Sequence, residues 1–122
     1  LDNFKVIIAG GRTFNDYDLL VESCDRLLIN KHPNIEIVNG GANGADRLGG
    51  KYAIQKGYKM KKFTADWDNL GKSAGYHRNK EMAEYADAAI IFWNGISKGA
   101  KHMIDLATEE GIQTKVITYG TH

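Results

Sequence analysis

Five short strand-like runs alternate with four helix-like stretches along 122 residues, an order that predicts an α/β fold. Two observations make the sheet parallel, with helices on both faces. Strands joined through helices need right-handed crossovers, which lay neighbouring strands parallel. In addition, Phe4-Lys5-Val6-Ile7-Ile8-Ala9 and Ala88-Ala89-Ile90-Ile91-Phe92-Trp93 are apolar on nearly consecutive residues, as a strand covered on both faces must be. Residues 1–122 read as one domain, without internal repeat, linker or low-complexity tract.

The first strand, residues 4–9, ends at Gly10-Gly11. After Arg12-Thr13-Phe14, Asn15 or Asp16 can cap a helix whose inner face carries Leu20, Cys24, Leu27 and Leu28. Residues 30–34, with the sole proline at Pro33, close it. Ile35-Glu36-Ile37-Val38 is the second strand, and a helix over residues 44–55 follows, stopped by Gly57 as a left-handed cap. Residues 58–63 alternate apolar and charged side chains and suit a half-exposed edge strand. A loop over residues 64–73 holds Trp67 and Gly71. Ser73 is placed to cap a third helix, residues 74–86, with Tyr76 and Met82 inward. After the strand 88–93, Asn94-Gly95-Ile96 turns the chain, and Ser97 caps a fourth helix with Met103, Ile104 and Ala107 inward. Gly111 ends that helix, and residues 115–119 form the last strand.

Composition excludes several classes of function. The chain is 43% hydrophobic and 25% charged, as an ordinary globular protein is. A formal net charge of +1 gives no bulk attraction to nucleic acid or an anionic membrane. No apolar run approaches the roughly 18 residues of a spanning helix, and no secretory signal is visible. The first residue is Leu1 rather than Met, as expected where a few native residues have been trimmed or replaced. Cys24 is the lone cysteine, which excludes an internal disulfide and a multi-cysteine metal site and suits a reducing cytosol. No metal site is expected.

In such a sheet, ligands bind outside the carboxyl ends of the strands, where strand order reverses. The loops at those ends hold most of the chain's unusual chemistry. In the first, Gly10-Gly11 lets a ligand lie against the backbone, Arg12 offers a planar fork to phosphate or carboxylate, and Thr13 adds a hydroxyl. The second, Asn39-Gly40-Gly41-Ala42-Asn43-Gly44-Ala45-Asp46, joins a strand to a helix and reads as a phosphate cradle of backbone N–H groups. It is neither a dinucleotide fingerprint nor a Walker loop. Asp46 serves there as a ribose-hydroxyl ligand, a loop-ordering residue or a partner of the helix dipole. Arg78 and Asn79, near the start of the third helix, form a second set of contacts. His77 has no partner suited to metal or nucleophile work. The fourth loop places Ser97, Lys98 and Gly99 at a helix N-terminus, with Trp93, or Trp67 from the long loop, as an aromatic wall. The lysines at 51, 56, 59, 61 and 62 read as a solvated surface and edge protection.

Ile8-Ala9-Gly10-Gly11-Arg12-Thr13-Phe14, the stretch 39–46, Ala65-Asp66-Trp67 and the stretch 74–82 resemble, in that order, the SLOG superfamily. The branch they are most similar to is that of the small YspA/YpsA-related proteins of bacteria and their phages, a domain of unknown function. The resemblance implies a Rossmann-like three-layer sandwich with strand order 3-2-1-4-5 and a site for a nucleotide or nucleotide-derived ligand. The same superfamily holds LOG-type phosphoribohydrolases, the DNA-processing protein A group that binds single-stranded DNA, and ligand sensors of bacterial defence. LOG enzymes carry Pro-Gly-Gly-x-Gly-Thr-x-x-Glu before the last helix. Here Ala100 replaces the threonine and Met103 the glutamate, and a methionine cannot act as a general acid.

The leading expectation is a cytosolic module that binds a nucleotide derivative, ADP-ribose-like for example, in a sensor or accessory role, with no firmly implied cofactor. Phosphate would rest on the backbone of Gly40-Gly41 and Asn43-Gly44. Arg12, Arg78 and the turn 97–99 would complete the site. One alternative is a nucleoside 5′-monophosphate phosphoribohydrolase using Glu81 or Asp46. Another is a single-stranded DNA-handling accessory, which would need a basic track. A homo-oligomer is compatible with all three.

Overall fold

A computed structural model describes residues 2–120; Leu1, Thr121 and His122, which the expected domain includes, lie outside the described residues. The chain runs β1 (Phe4–Gly10), α1 (Tyr17–Leu28), β2 (Ile35–Asn39), α2 (Ala45–Lys56), β3 (Lys59–Lys62), α3 (Trp67–Leu70), a 3-10 turn (Gly71–Ser73), α4 (Ala74–Tyr85), β4 (Ala88–Trp93), α5 (Lys98–Glu109) and β5 (Gln113–Thr118). The five strands form one sheet in the order β3-β2-β1-β4-β5. Every pairing is parallel, with Ile7 beside Val38 on one side and Ala89 on the other. The Rossmann-like order implied by the resemblance is the order found.

Strand geometry sorts the core into two halves, because successive side chains point to opposite faces. Val6 and Ile8 of β1, with Ile90 and Phe92 of β4, join Leu20, Cys24 and Leu28 of α1 and Tyr52 of α2. Ile7, Ala9, Ala89 and Ile91 point the other way, onto Met82 and Ala83 of α4 and Met103, Leu106 and Ala107 of α5. Consecutive burial in β1 and β4 therefore follows from helices on both faces. At the edge, β3 is exposed along its whole length, and its three lysines guard the unpaired side.

Several local expectations need correction. Leu27 is 36% exposed, because it faces a surface groove lined also by residues of β1, β4 and β5 rather than the core. Tyr76 is 51% exposed and lies against the His102 ring, centroids 4.4 Å apart, rather than entering the core. The stretch expected as a plain loop contains α3. Asp66 caps this turn, its carboxylate accepting from the Asn69 backbone N–H (3.2 Å) and side-chain amide (2.9 Å). Ser73 supplies no cap, since the 3-10 turn runs straight into α4 and its hydroxyl donates back to the Leu70 carbonyl (2.8 Å). Finally, β5 starts at Gln113 and stops at Thr118, one residue short of Tyr119.

Candidate ligand-binding cleft

The sheet order reverses between β1 and β4: β2 and β3 extend one way from β1, while β4 and β5 extend the other. A cleft of about 370 Å³ opens at the carboxyl ends of these two strands. Its walls come from three places. The end of β1 and the β1–α1 loop supply Gly10, Gly11, Arg12 and Thr13; α4 supplies Arg78, Asn79 and Met82; the β4–α5 connection and the first turn of α5 supply Asn94, Ile96, Ser97, Gly99 and Ala100. Ala9 and Met103 form an apolar floor, and Asp46 reaches the wall from α2.

The glycine-rich β2–α2 loop is wound around its own anion. Asp46, only 5% exposed, accepts from the Gly40 N–H (2.9 Å). Buried Asn39 accepts from the Gly41 N–H (3.1 Å) through its carbonyl and donates to the Asp46 carbonyl (3.2 Å) through its amide. The first N–H of α2, on Ala45, donates to the Gly11 carbonyl (3.2 Å). The donors expected to hold phosphate at Gly40 and Gly41 are therefore spent inside the loop, because the Asp46 and Asn39 side chains already satisfy them. Burial raises the Asp46 carboxyl above its ordinary range; the Gly40, Ala42 and Gly10 N–H groups and the Arg78 charge oppose that rise only in part.

Gly44 locks this loop onto the first one. Its φ is +79°, and a Cβ there would lie 2.6 Å from the Arg12 carbonyl carbon and oxygen. Gly40 matters for a different reason, the seating of Arg78. The Arg78 side chain lies flat on it, and a Cβ would meet the guanidinium carbon at 2.7 Å.

Arg78 is half-buried and held at two points: Nη1 donates to the Gly40 carbonyl (2.9 Å) and Nε to Asn79 Oδ1 (3.0 Å). A guanidinium carries five N–H donors, so its remaining ones stay free for a ligand anion. Asn79 is itself oriented. With its carbonyl taken by Arg78, its amide faces His102 Nδ1 at 3.3 Å, which must then accept, leaving the ring proton on Nε2. Burial lowers the His102 pKa, against the charges of Asp105 and Glu109, and so favours this neutral ring.

In the fourth loop, Asn94 Oδ1 accepts from the Ile96 (2.9 Å) and Ser97 (2.8 Å) N–H groups, and Ser97 Oγ caps α5 by accepting from Ala100 (3.3 Å). The N-terminus of α5 consequently faces the cleft, and Gly99 stands there with open space where a Cβ would lie.

The structure thus gathers Gly10, Gly11, Arg12, Thr13, Asp46, Arg78, Asn79, Ser97 and Gly99 into one cleft. Gly40, Gly41 and Asn43 line an adjoining depression, while Asn39 and Gly44 sit behind the loop and shape it. Three nominated residues stand apart from the cleft. Trp93 turns its indole N–H to the Ser97 carbonyl (3.1 Å), Lys98 is exposed, and Glu81 is exposed on α4. Met82 and Ala100 escaped the sequence reading as wall residues, although Met82 sits one helical turn after Arg78 and so shares its face. Among the described residues no cluster of three or more His, Cys, Asp or Glu side chains is placed to hold a metal, and no helix is long and apolar enough to cross a membrane.

Fold and cleft together define an α/β protein with a cleft at a topological switch point. The comparisons make this specific. The family model of the YspA, cpYpsA-related SLOG family (YAcAr) matches residues 4–69. The Gene 61 protein of Mycobacterium phage D29 is 33% identical over 122 residues, spanning 95% of this chain and 96% of that protein. The chain belongs to the YspA, cpYpsA-related SLOG family. Among solved structures, DNA processing protein A (DprA) from Streptococcus pneumoniae superposes with a TM-score of 0.75 at 19% identity, over 98% of this chain. That likeness is one of fold, and this chain spans about half (51%) of the DprA chain.

Proposed function

We propose that this protein binds a nucleotide or nucleotide-derived ligand in the β1–β4 cleft, in a sensor or accessory role. The observation that carries the reading is the distribution of charge and apolar surface there. Arg12 and the pre-positioned Arg78 line the cleft with the α5 N-terminus, beside an apolar surface made of the floor residues Ala9 and Met103 and the wall residues Met82 and Ala100. Phosphate belongs with the arginines and the helix N-terminus; sugar or base belongs on the methionine side. The β2–α2 loop contributes shape rather than phosphate contacts, since Asp46 would repel an anion placed on it. A thermal-shift panel of nucleoside phosphates and ADP-ribose, with mass spectrometry of ligand released on denaturation, tests the proposal. Binding that is lost in Arg78→Ala supports it; no shift with any member and no co-purified ligand refutes it.

Hydrolysis of nucleoside 5′-monophosphates is a second reading, favoured by Asp46, the one carboxylate of the cleft wall, whose raised pKa suits proton donation. Met103 on the floor weighs against it. Free base appearing over long incubations, and absent in Asp46→Asn, would favour this reading. The shared fold with DNA processing protein A suggests nucleic acid as a third ligand class, which a steep salt dependence of single-strand binding would reveal.

A further inference from the structure

Beside the main cleft lies a second depression of about 340 Å³, between the β2–α2 loop and the segment joining β3 to α3. The two share Arg12, Ala42 and Arg78, so the arginines form a saddle between two lobes. Their chemistry differs. The first lobe has an apolar floor and the Asp46 carboxylate. The second is walled by Arg12, Lys62 and Arg78 with no carboxylate, in a chain whose formal net charge is only +1. Of the two acids flanking Trp67, Asp66 turns its carboxylate onto Asn69, and neither Asp66 nor Asp68 lines this depression. Trp67 is 53% exposed, its ring edge lies against Gly75, and it lines this depression together with Arg78. Nothing in the packing of the core requires an indole at that position.

We infer that the second lobe takes a second nucleoside, stacked on Trp67, so that the ligand is two nucleosides bridged by phosphate across the Arg12–Arg78 saddle. This rests on the proposed function of the first lobe. An exposed indole beside a cluster of cations offers a base a flat face and its phosphate a counter-charge, whatever the base. The saddle places the bridging phosphates where both lobes share donors. Lys62, whose chain covers Gly41, adds the third positive charge. Such a ligand can be a free 5′–5′ dinucleotide or the end of a 3′–5′ strand; the chemistry recognised is the same.

Calorimetric titrations with AMP, with diadenosine diphosphate (5′–5′) and with the dinucleotide pApA (3′–5′) test the inference on the whole chain. Stacking one further base should strengthen binding roughly 10- to 100-fold over AMP. The ratio of dinucleotide to AMP affinity should collapse toward one in Trp67→Ala and fall in Lys62→Ala. Both side chains are exposed, so neither substitution threatens the fold. Quenching of tryptophan fluorescence by the dinucleotide should vanish in Trp67→Leu. Whichever dinucleotide shows the gain identifies the source. If AMP binds but neither dinucleotide binds more tightly, or if Trp67→Ala keeps the gain, the inference falls while the proposed function stands. If no nucleotide binds, both fall.

Discussion

Substituting Gly44 tests the claim that the two glycine-bearing loops are locked together. Gly44→Ala meets two separate costs. The backbone there has φ +79° and ψ −126°, outside the wells open to L side chains, which costs about 1–2 kcal/mol. The new Cβ would also sit 2.6 Å from the Arg12 carbonyl atoms, a contact with main chain that no rotamer change relieves. Relief by shifting two loops adds about 1–3 kcal/mol. The sum, roughly 2–5 kcal/mol, is a large share of the 5–15 kcal/mol typical of a domain. At about 4 °C per kcal/mol for a chain of this length, the midpoint should fall by roughly 8–20 °C. Gly95→Ala is the control. Its φ is +85°, yet nothing lies within 4 Å, so only the conformational cost applies and the midpoint should fall by about 4–8 °C. Urea and thermal melts of both variants are the assay. A Gly44→Ala loss no greater than that of Gly95→Ala refutes the interlock.

Further outcomes follow from the same geometry. Because burial raises the Asp46 pKa, the folded state holds that proton more tightly than the unfolded one; this contribution is full below the ordinary carboxylate range and is lost as pH rises through the folded value. Urea melts from about pH 3 to 7 should show that decline in the wild type and a flatter profile in Asp46→Asn. Protonating His102 would turn an Nδ1–H toward the Asn79 amide and unsettle Arg78, in a ring faced by Tyr76 and Asn79 from α4 and by Asp105 and Glu109 on α5. Nucleotide affinity should thus weaken about 3- to 10-fold as pH falls well below 6.5, an effect that His102→Gln removes in calorimetry at matched ionic strength. Cys24 is fully buried with its thiol pushed up to about 12, so a thiol reagent should label it only at the rate of unfolding.

Much of the architecture was legible because burial on two faces leaves a plain trace in sequence. Val6-Ile7-Ile8-Ala9 can be apolar throughout only if both faces are covered, and the alternation of strand and helix then leaves little choice of topology. The loops that flank the cleft could be found for the same reason, since they follow those strands. What could not be read was direction. Asp46 in a first helical turn fits a dipole partner, a ligand contact or a loop organiser equally well, and only the folded structure shows its Oδ2 turned back on the Gly40 N–H. Trp93 illustrates the same limit: position at a strand end said it was near the site, but its indole faces the Ser97 carbonyl. Trp67 was readable as a candidate wall, and it lines the second depression, whereas the helical turn carrying it was not readable, because four residues are too few to show a period.

The internal carboxylate changes what the glycine-rich loop can contribute. A loop whose N–H groups are open draws phosphate by itself; here Asp46 satisfies Gly40 and, with Asn39, shapes the turn. Under the proposed function, recognition of an anion passes to Arg78, whose placement depends on that same turn through the Gly40 carbonyl. Asp46 would then act on the proposed ligand in opposite senses: its charge would repel phosphate from the loop, while the loop geometry it maintains holds the arginine proposed to attract phosphate. The two effects separate by substitution. Asp46→Asn keeps an oxygen that can accept from Gly40 and removes the charge, so it should strengthen nucleotide binding if repulsion dominates. Asp46→Ala removes both, frees the loop and should weaken binding. A carboxylate that served only to balance the α2 dipole would give neither pattern, because its loss would alter stability and leave the order of the two affinities unchanged.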